Sequence, residues 1–310
     1  MKVGVFFPPW GPTASVERVE LFAEAAESNG YHSLWVGDHV AFPREVASSY
    51  SYREGGSTPF DPDEPHFEPL TLLAYIAART RKIHLGVSVF ILSMRNPVLS
   101  AGLIGNLQAL SRGRVHLGIG SGWMREEFEA LGADFAKRGA LTDEYVALLR
   151  HLWAGNPSAF RGEHYEVQAL GLQPLPDPPI PIAVGGNSEV AMRRAVRLGN
   201  GWQPLRLSPQ DAATAVGRLH EIAADQGRDP GTLAVSLRAS LLDLETSTRG
   251  PDGAGAGVSE RCAGLLAGYR EAGVDEFIVE FPFPGTPPER QIEWLQWLKE
   301  ERVIEQAATL

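Results

Sequence analysis

The chain has 310 residues, of which 44% are apolar and 21% charged, and its formal net charge is −10. This composition supports one large domain or two small ones, and the acidic excess disfavours nucleic acid and anionic membrane surfaces as partners. The single cysteine, Cys262, excludes an intrachain disulfide. The sequence has no apolar run near ~20 residues and no signal-peptide pattern before Pro8, and it therefore predicts a soluble, cytoplasmic protein.

Strand and helix signals alternate through the first part of the chain. Ser15 is typical of a helix N-cap, and Gly30 is typical of the position just past a helix end. A long segment over about 41–66 is rich in Ser, Pro, Tyr and Gly, which predicts a mobile loop. The predicted elements here are a strand over 2–7, a helix over 15–28, a strand over 33–36 and a helix over 69–79.

Two similar runs, 82–90 (KIHLGVSVF) and 114–123 (RVHLGIGSGW), flank a helix-length stretch over 97–110. Each run begins with a cation and continues through alternating apolar residues, which predicts a strand–helix–strand unit. Small residues at the strand ends, among them Ser88, Gly120 and Ser121, allow a ligand to approach the backbone. In parallel α/β proteins ligands bind at the carboxyl ends of the strands, so we expect a site there.

The alternation continues after an insertion over about 155–181, which is rich in proline and contains a short extended piece at 164–167. Four glycines between 246 and 258 predict a second mobile loop. The remaining predicted helices cover 141–153, 188–197, 209–226, 260–272 and 288–299, and the remaining strands cover 182–184, 201–202, 233–242 and 276–280.

Eight short apolar strands separated by helices predict a (β/α)8 TIM barrel, a fold whose strands are buried on both faces. No linker signal divides the chain, so we expect a single barrel domain over 1–310 with insertions in its βα loops. A doubly wound open sheet is the competing interpretation. It is disfavoured because no G-x-G-x-x-G motif follows the first strand.

Four stretches in this order resemble the bacterial luciferase-like superfamily of flavin- and deazaflavin-dependent barrel enzymes: 35–39 (WVGDH), 85–89 (LGVSV), 110–114 (LSRGR) and 118–123 (GIGSGW). The resemblance covers most of the chain and implies an oxidoreductase. Fold alone does not determine the chemistry of a barrel, so the site residues must support that function.

Within the superfamily, the sequence is more similar to the branch that uses the deazaflavin coenzyme F420. Flavin-binding luciferases carry an arginine for the flavin phosphate where this chain has Ser121, and 125–128 (REEF) is similar to the deazaflavin type. The resemblance therefore implies hydride transfer between F420 and a small organic substrate. An FMN-dependent monooxygenase and a non-catalytic flavin-binding relative remain as alternatives.

The resemblance assigns the catalytic role to His39 and places Asp38 beside it against the deazaflavin ring. Imidazole has an ordinary pKa of about 6.5, so a histidine is suited to exchange a proton at neutral pH. Relatives carry a cis peptide bond that supports the ring at the positions of Ser88 and Val89, and we expect the same bond here. Gly120 and Ser121, at the next strand end, are also expected to contact the cofactor.

The cofactor's phosphate is expected at 185–188 (GGNS), because backbone amides at a helix start suit an anion and relatives bind phosphate there. Gly185, Gly186 and Asn187 are the predicted ligands. Asn106 is predicted either to cap its helix or to point to the coenzyme's tail.

Two adjacent acids, Glu126 and Glu127, are interpreted as the start of a helix, where acidic side chains favour the positive end of the dipole. Trp123 suggests an aromatic lid over the pocket. His66, Glu68 and His164 lack metal-ligand spacing, so no metal is predicted. The superfamily resemblance implies a homodimer.

Overall fold

The computed structural model describes residues 1–50, 56, 58, 60–253, 255, 257–282 and 286–305. Eight parallel strands close into a barrel, and each pairs with two neighbours around the ring. A separate two-stranded antiparallel sheet, β5–β6, lies in the predicted insertion. The strands are β1 (Lys2–Phe7), β2 (Ser33–Val36), β3 (His84–Ile91), β4 (Val115–Gly120), β5 (Phe160–Arg161), β6 (Glu166–Val167), β7 (Ile182–Gly185), β8 (Gly201–Gln203), β9 (Ala234–Ala239) and β10 (Glu276–Val279).

Helices follow the barrel strands and cover the outside of the barrel, and their inward faces join the strands in one large apolar core. Their starts are fixed locally: the Ser15 and Ser188 hydroxyls accept hydrogen bonds from first-turn amides, as N-caps do. The helices are α1 (Val16–Ser28), α2 (Pro69–Arg79), α3 (Pro97–Leu110), α4 (Arg125–Ala130), α5 (Arg138–Trp153), α6 (Glu189–Leu198), α7 (Pro209–Asp225), α8 (Leu244–Arg249), α9 (Val258–Glu271) and α10 (Pro288–Glu300).

The interior of the barrel is filled by a large side chain, not by empty space. Trp35 is fully buried there with Phe6 and Ile278, in a cluster distinct from the main core. Room for the indole exists because Gly86 carries no side chain, and a Cβ at that position would overlap the ring. Trp35 also donates from Nε1 to the Ser33 hydroxyl at 2.7 Å. These contacts close the barrel below its carboxyl end.

Helix α3 is apolar on both its inward and its outward face. Ile104 and Leu107 are buried against the barrel, whereas Leu99, Leu103 and Leu110 are 45–70% exposed on the other side. A helix that is apolar all round is normally covered on both sides. The outward face of α3 is therefore suited to contact a partner.

The predicted TIM barrel is confirmed, and the predicted strands and helices agree with the observed ones except for small shifts at their ends. The loop predicted over 246–258 is wrong in part, because α8 and a short 3-10 helix at Pro251–Gly253 occupy it. Asp243 starts α8 by accepting a hydrogen bond from the Thr246 amide, a capping signal that the glycines obscured. Residues 254 and 256 of this loop, and 51–55, 57 and 59 of the loop at 41–66, lie outside the described residues.

In the part of the chain that the structure describes, no helix has the length and apolar character required to cross a membrane.

Candidate active site

A cavity of about 190 Å³ lies at the carboxyl end of the barrel, and residues from the ends of all eight barrel strands contribute to its wall. Six of the predicted site residues line it. Ligands bind at this end in barrels of this kind because the loops there are free to vary while the strands fix the side chains. The predicted residues that line the cavity are Asp38, His39, Ser88, Val89, Gly185 and Gly186.

His39, just after β2, is held by a carboxylate from α4. Its Nδ1 lies 2.8 Å from Glu127 Oε2, and both side chains are almost fully buried. The other oxygen of Glu127 accepts from the backbone amides of Val40 at 2.6 Å and Ala41 at 3.3 Å. The carboxylate therefore fixes both the imidazole and the backbone that carries it.

Glu127 is ionised in this setting. Burial alone raises the pKa of this carboxyl, but the hydrogen bonds from His39 and from the amides of Val40 and Ala41 outweigh it and lower the pKa below its usual value. Because a carboxylate only accepts hydrogen bonds, Nδ1 of His39 carries its proton. Nε2 is then the ring atom that remains for a ligand in the cavity.

Aromatic side chains surround His39. The ring centroids of Phe60, Phe42, Trp10 and Trp123 lie 4.6, 4.9, 5.9 and 6.3 Å from that of the imidazole. Such a wall keeps bulk water from the imidazole and offers flat apolar surface to a bound molecule.

The carboxylate of Asp38 is engaged by other parts of the protein. It is fully buried and forms a two-point ion pair with Arg95, with Oδ1–Nη2 at 2.6 Å and Oδ2–Nη1 at 2.8 Å. Oδ2 also accepts from the Ile91 amide at 2.7 Å, at the end of β3. Asp38 lines the cavity, but its oxygens join β2 to β3 and position the neighbouring imidazole.

The predicted cis bond between Ser88 and Val89 is confirmed, and the pairing of β3 with β4 shifts there in a bulge. Glycines make room for the side chain of Val89. A Cβ on Gly120 or on Gly185 would lie 2.5 Å from a γ-carbon of Val89. Gly120 and Gly185, both predicted to contact the cofactor, thus leave space for the Val89 side chain on the cavity wall between β4 and β7.

A charged group that was not anticipated from the sequence completes the cavity. Arg238 on β9 is 8% exposed and donates from Nη1 to the Ser88 carbonyl at 2.8 Å, and its Nε lies 3.0 Å from Glu280 Oε2. Arg206, after β8, pairs with the other oxygen of Glu280. Gln203, 3% exposed, lies beside them on the cavity wall.

The remaining predicted residues do not line the cavity. Asn187 bonds through its side chain to both the amide and the carbonyl of Leu205, and so joins the loops after β7 and β8. Asn106 is exposed on the outward face of α3, because the helical period that buries its neighbours turns it away from the barrel. Gly120 lies behind Val89, and Ser121 is half-buried after β4.

The predicted phosphate site at the start of α6 is only partly open. The amide of Gly186 already donates to the Gln203 carbonyl at 3.2 Å, and its carbonyl accepts from Trp202 Nε1 at 2.8 Å. Ser188 caps the helix through its hydroxyl. The remaining first-turn amides of a helix have no intrahelical partner, and they are the atoms left for an anion here.

The described residues include no cluster of three or more His, Cys, Asp or Glu side chains arranged to hold a metal ion.

The family model described as luciferase-like monooxygenase matches residues 1–248, which is most of the chain. The chain belongs to this family. Within it, a protein of Mycobacterium tuberculosis described as uncharacterised is 35% identical over 206 residues, which cover 66% of this chain and 71% of that protein. An F420-dependent glucose-6-phosphate dehydrogenase of Amycolatopsis mediterranei is 31% identical over 197 residues, 62% of this chain and 53% of the relative.

Solved structures of luciferase-like proteins have the same fold. An F420-dependent secondary alcohol dehydrogenase superposes with a TM-score of 0.76 at 17% identity, over 99% of this chain and 98% of the other. A type II Baeyer–Villiger monooxygenase component from Pseudomonas putida, in complex with FMN, superposes with a TM-score of 0.73 at 19% identity, over 97% of each chain. At these identities the likeness extends to the fold only, and relatives that bind F420 and relatives that bind FMN share it.

Sequence reasoning missed Glu127, Gln203, Arg238 and Glu280. Arg238 had a usable signal, since a lone cation inside an apolar strand is almost never buried without a partner. Glu280 had a similar signal, because it is a charged residue directly after the next barrel strand, β10. Glu127 had no such signal, because an acid in the first turn of a helix is ordinary and its burial depends on α4 packing beside β2.

Proposed function

We propose that this protein is an F420-dependent oxidoreductase that transfers a hydride to or from a small organic substrate. The observation that carries the proposal is the buried His39–Glu127 pair, whose Nε2 has no hydrogen bond from the described residues and shares one cavity with the Val89 bulge. Similarity to an F420-dependent dehydrogenase and Ser121 in place of the flavin-phosphate arginine favour F420 over FMN.

The cavity fits a flat heteroaromatic ring on two observations. Val89 forms the wall at the ends of β4 and β7, where Gly120 and Gly185 add no side chain of their own, and this apolar surface suits the face of a planar group. Buried polar atoms also lack partners there: the described residues give Gln203 Oε1 no hydrogen-bond donor. Val89, Gln203 and Arg238 would hold the ring, and first-turn amides of α6 would meet its phosphate. When bound, the deazaflavin supplies a two-electron hydride acceptor or donor.

The protein's own part in the reaction is proton transfer and exclusion of water. When a substrate alcohol loses the hydride from its C–H bond, His39 Nε2 accepts the hydroxyl proton and a carbonyl group forms. In the reverse reaction, Nε2–H returns the proton to the carbonyl oxygen. While His39 holds this proton it is an imidazolium, and the carboxylate of Glu127 stabilises its positive charge. The aromatic wall of Trp10, Phe42, Phe60 and Trp123 keeps the site dry.

The substrate is proposed to be a small neutral molecule, because the described surface next to His39 is aromatic. Nucleic acid and membranes are not proposed as partners. The exposed apolar face of α3 supports a homodimer, with a second copy of the chain covering Leu99, Leu103 and Leu110. Cytoplasmic location stays a prediction from the sequence.

The cofactor assignment is tested by titrating the purified protein with F420 and with FMN and following absorbance and fluorescence. We expect saturable binding of F420 and weak or undetectable binding of FMN. Tight binding of FMN without affinity for F420 would refute the assignment.

A second candidate, an FMN-dependent monooxygenase, is supported by 31% identity to a pyrimidine monooxygenase of Allorhizobium ampelinum and by the FMN-bound structural neighbour. It predicts oxygen uptake with reduced FMN. The third alternative, a non-catalytic flavin-binding protein, predicts that His39→Gln alters no turnover.

A further inference from the structure

Arg238 has hydrogen-bonding capacity that the protein does not use. Its Nη1 donates to the Ser88 carbonyl and hydroxyl, at 2.8 and 3.3 Å, and its Nε lies beside Glu280. No hydrogen bond among the described residues engages Nη2, although the side chain is only 10% exposed, and the guanidinium carbon lies 4.1 Å from the centre of the Phe6 ring. Buried donors in proteins are normally paired, so an unpaired guanidinium arm on a cavity wall indicates a ligand acceptor.

Gln203 presents the complementary atom on the same wall. Its Nε2 donates to the Ser236 hydroxyl at 3.3 Å, whereas Oε1 is buried without a partner among the described atoms. The residue is 3% exposed and lines the cavity with Arg238. An acceptor and a charged donor therefore line the same cavity as the Ser88–Val89 bulge.

Arg238 brings a positive charge to these atoms. Arg206 and Arg238 both pair with the carboxylate of Glu280. The other buried acids of the wall have their own partners, Asp38 with Arg95 and Glu127 with His39. A guanidinium keeps its charge across the working pH range, so the positive charge of Arg238 is permanent.

We propose that Arg238 and Gln203 bind the pyrimidinedione edge of the redox ring, with Nη2 donating to the C2 carbonyl oxygen and Oε1 accepting from N3–H. The proposal rests on the proposed function, but deazaflavins and flavins share this edge, so it does not depend on which one binds. A hydride brings two electrons and one proton to the ring. The ring thereby gains one negative charge, which resonance places at N1 and the C2 oxygen, next to Arg238.

The test compares wild-type protein with R238Q, R238K and the surface variant R193Q, which removes a helix ion pair on α6. Dissociation constants are measured for the oxidised and the reduced form of whichever cofactor the wild type binds. R238Q is expected to weaken binding of the reduced ring at least tenfold more than that of the oxidised ring, which lowers the midpoint potential by about 30 mV for a two-electron couple. R238K is expected to restore most of the difference, and R193Q to change neither constant.

Gln203 is tested with the same cofactor methylated at N3, which removes the N3–H donor. Wild type should bind the methylated ring about three- to tenfold more weakly than the natural one, as expected for one lost hydrogen bond. Q203L should bind both rings equally, which shows that the residue and the N3–H interact directly.

The outcomes separate the two proposals. A wild-type protein that binds neither F420 nor FMN refutes the proposed function and this inference with it. If wild type binds a ring but R238Q weakens both redox forms equally, or if Q203L still discriminates against the methylated ring, the inference is wrong and the proposed function stands.

Discussion

Replacing Glu127 by glutamine tests whether the His39–Glu127 pair drives proton transfer. Gln keeps an oxygen that can accept from the Val40 and Ala41 amides, so the local backbone should persist. It removes the charge opposite Nδ1, and its NH2 group can donate to Nδ1 and select the wrong tautomer of His39. The carboxylate then no longer stabilises the imidazolium.

The size of the effect follows from the bond that is lost. A hydrogen bond to a charged group contributes roughly 1.5–3 kcal/mol, and each 1.36 kcal/mol corresponds to a factor of ten in rate. The 2.8 Å contact is buried, so we expect kcat to fall by about ten- to hundredfold. The Kd for the cofactor should change little, because Glu127 faces the imidazole.

The matched control is E126Q, one residue earlier. Glu126 accepts from the amides of Ala47 and Ser48 at 2.8 and 3.0 Å, which a glutamine oxygen can also do, and it does not contact His39. Steady-state rates with the proposed cofactor, and 15N shifts of the His39 ring, are measured for both variants. An E127Q protein that binds cofactor and keeps its rate within twofold of wild type would refute the pairing argument.

Three further results are expected. G185A should lose about 1–3 kcal/mol of unfolding free energy, because its Cβ would lie 2.5 Å from Val89, whereas G217A on the open surface of α7 should be neutral or stabilising in the same denaturant titration. Burial lowers the pKa of His116 to about 3, so His116 stays neutral in the folded protein, whereas the unfolded chain takes up a proton there below about pH 6.5. The free energy of unfolding should therefore fall between pH 6.5 and 3, and it should fall less in H116Q than in wild type. L103E should shift a homodimer to monomer in analytical ultracentrifugation, and a wild type that is already monomeric contradicts the proposed interface.

The barrel was predictable because its signals are local. Strand alternation, caps such as Ser15, and the Asp38–His39 pair at a strand end depend on neighbours in sequence, and they placed the candidate site at the end of the barrel where the cavity lies. The partners of those residues were not predictable. Glu127 meets His39 across 88 positions, and Arg238 reaches Ser88 across 150, so these contacts exist only once the ring of strands has closed.

Asn106 shows the opposite error. Its residue type suits a polar ligand, but its position on α3 is set by the helical repeat, which buries Gly105 and Leu107 and leaves Asn106 outside. The residue type indicates which ligand a side chain could bind, but the helical repeat decides whether that side chain points toward the site.

The indole of Trp35 seals the barrel between the cavity and the wider depression at its amino end. Among the described residues, this leaves the carboxyl end of the barrel as the entrance for the proposed coenzyme and substrate. The molecule in the deeper position has to bind first and dissociate last, so initial-rate kinetics should follow a compulsory order.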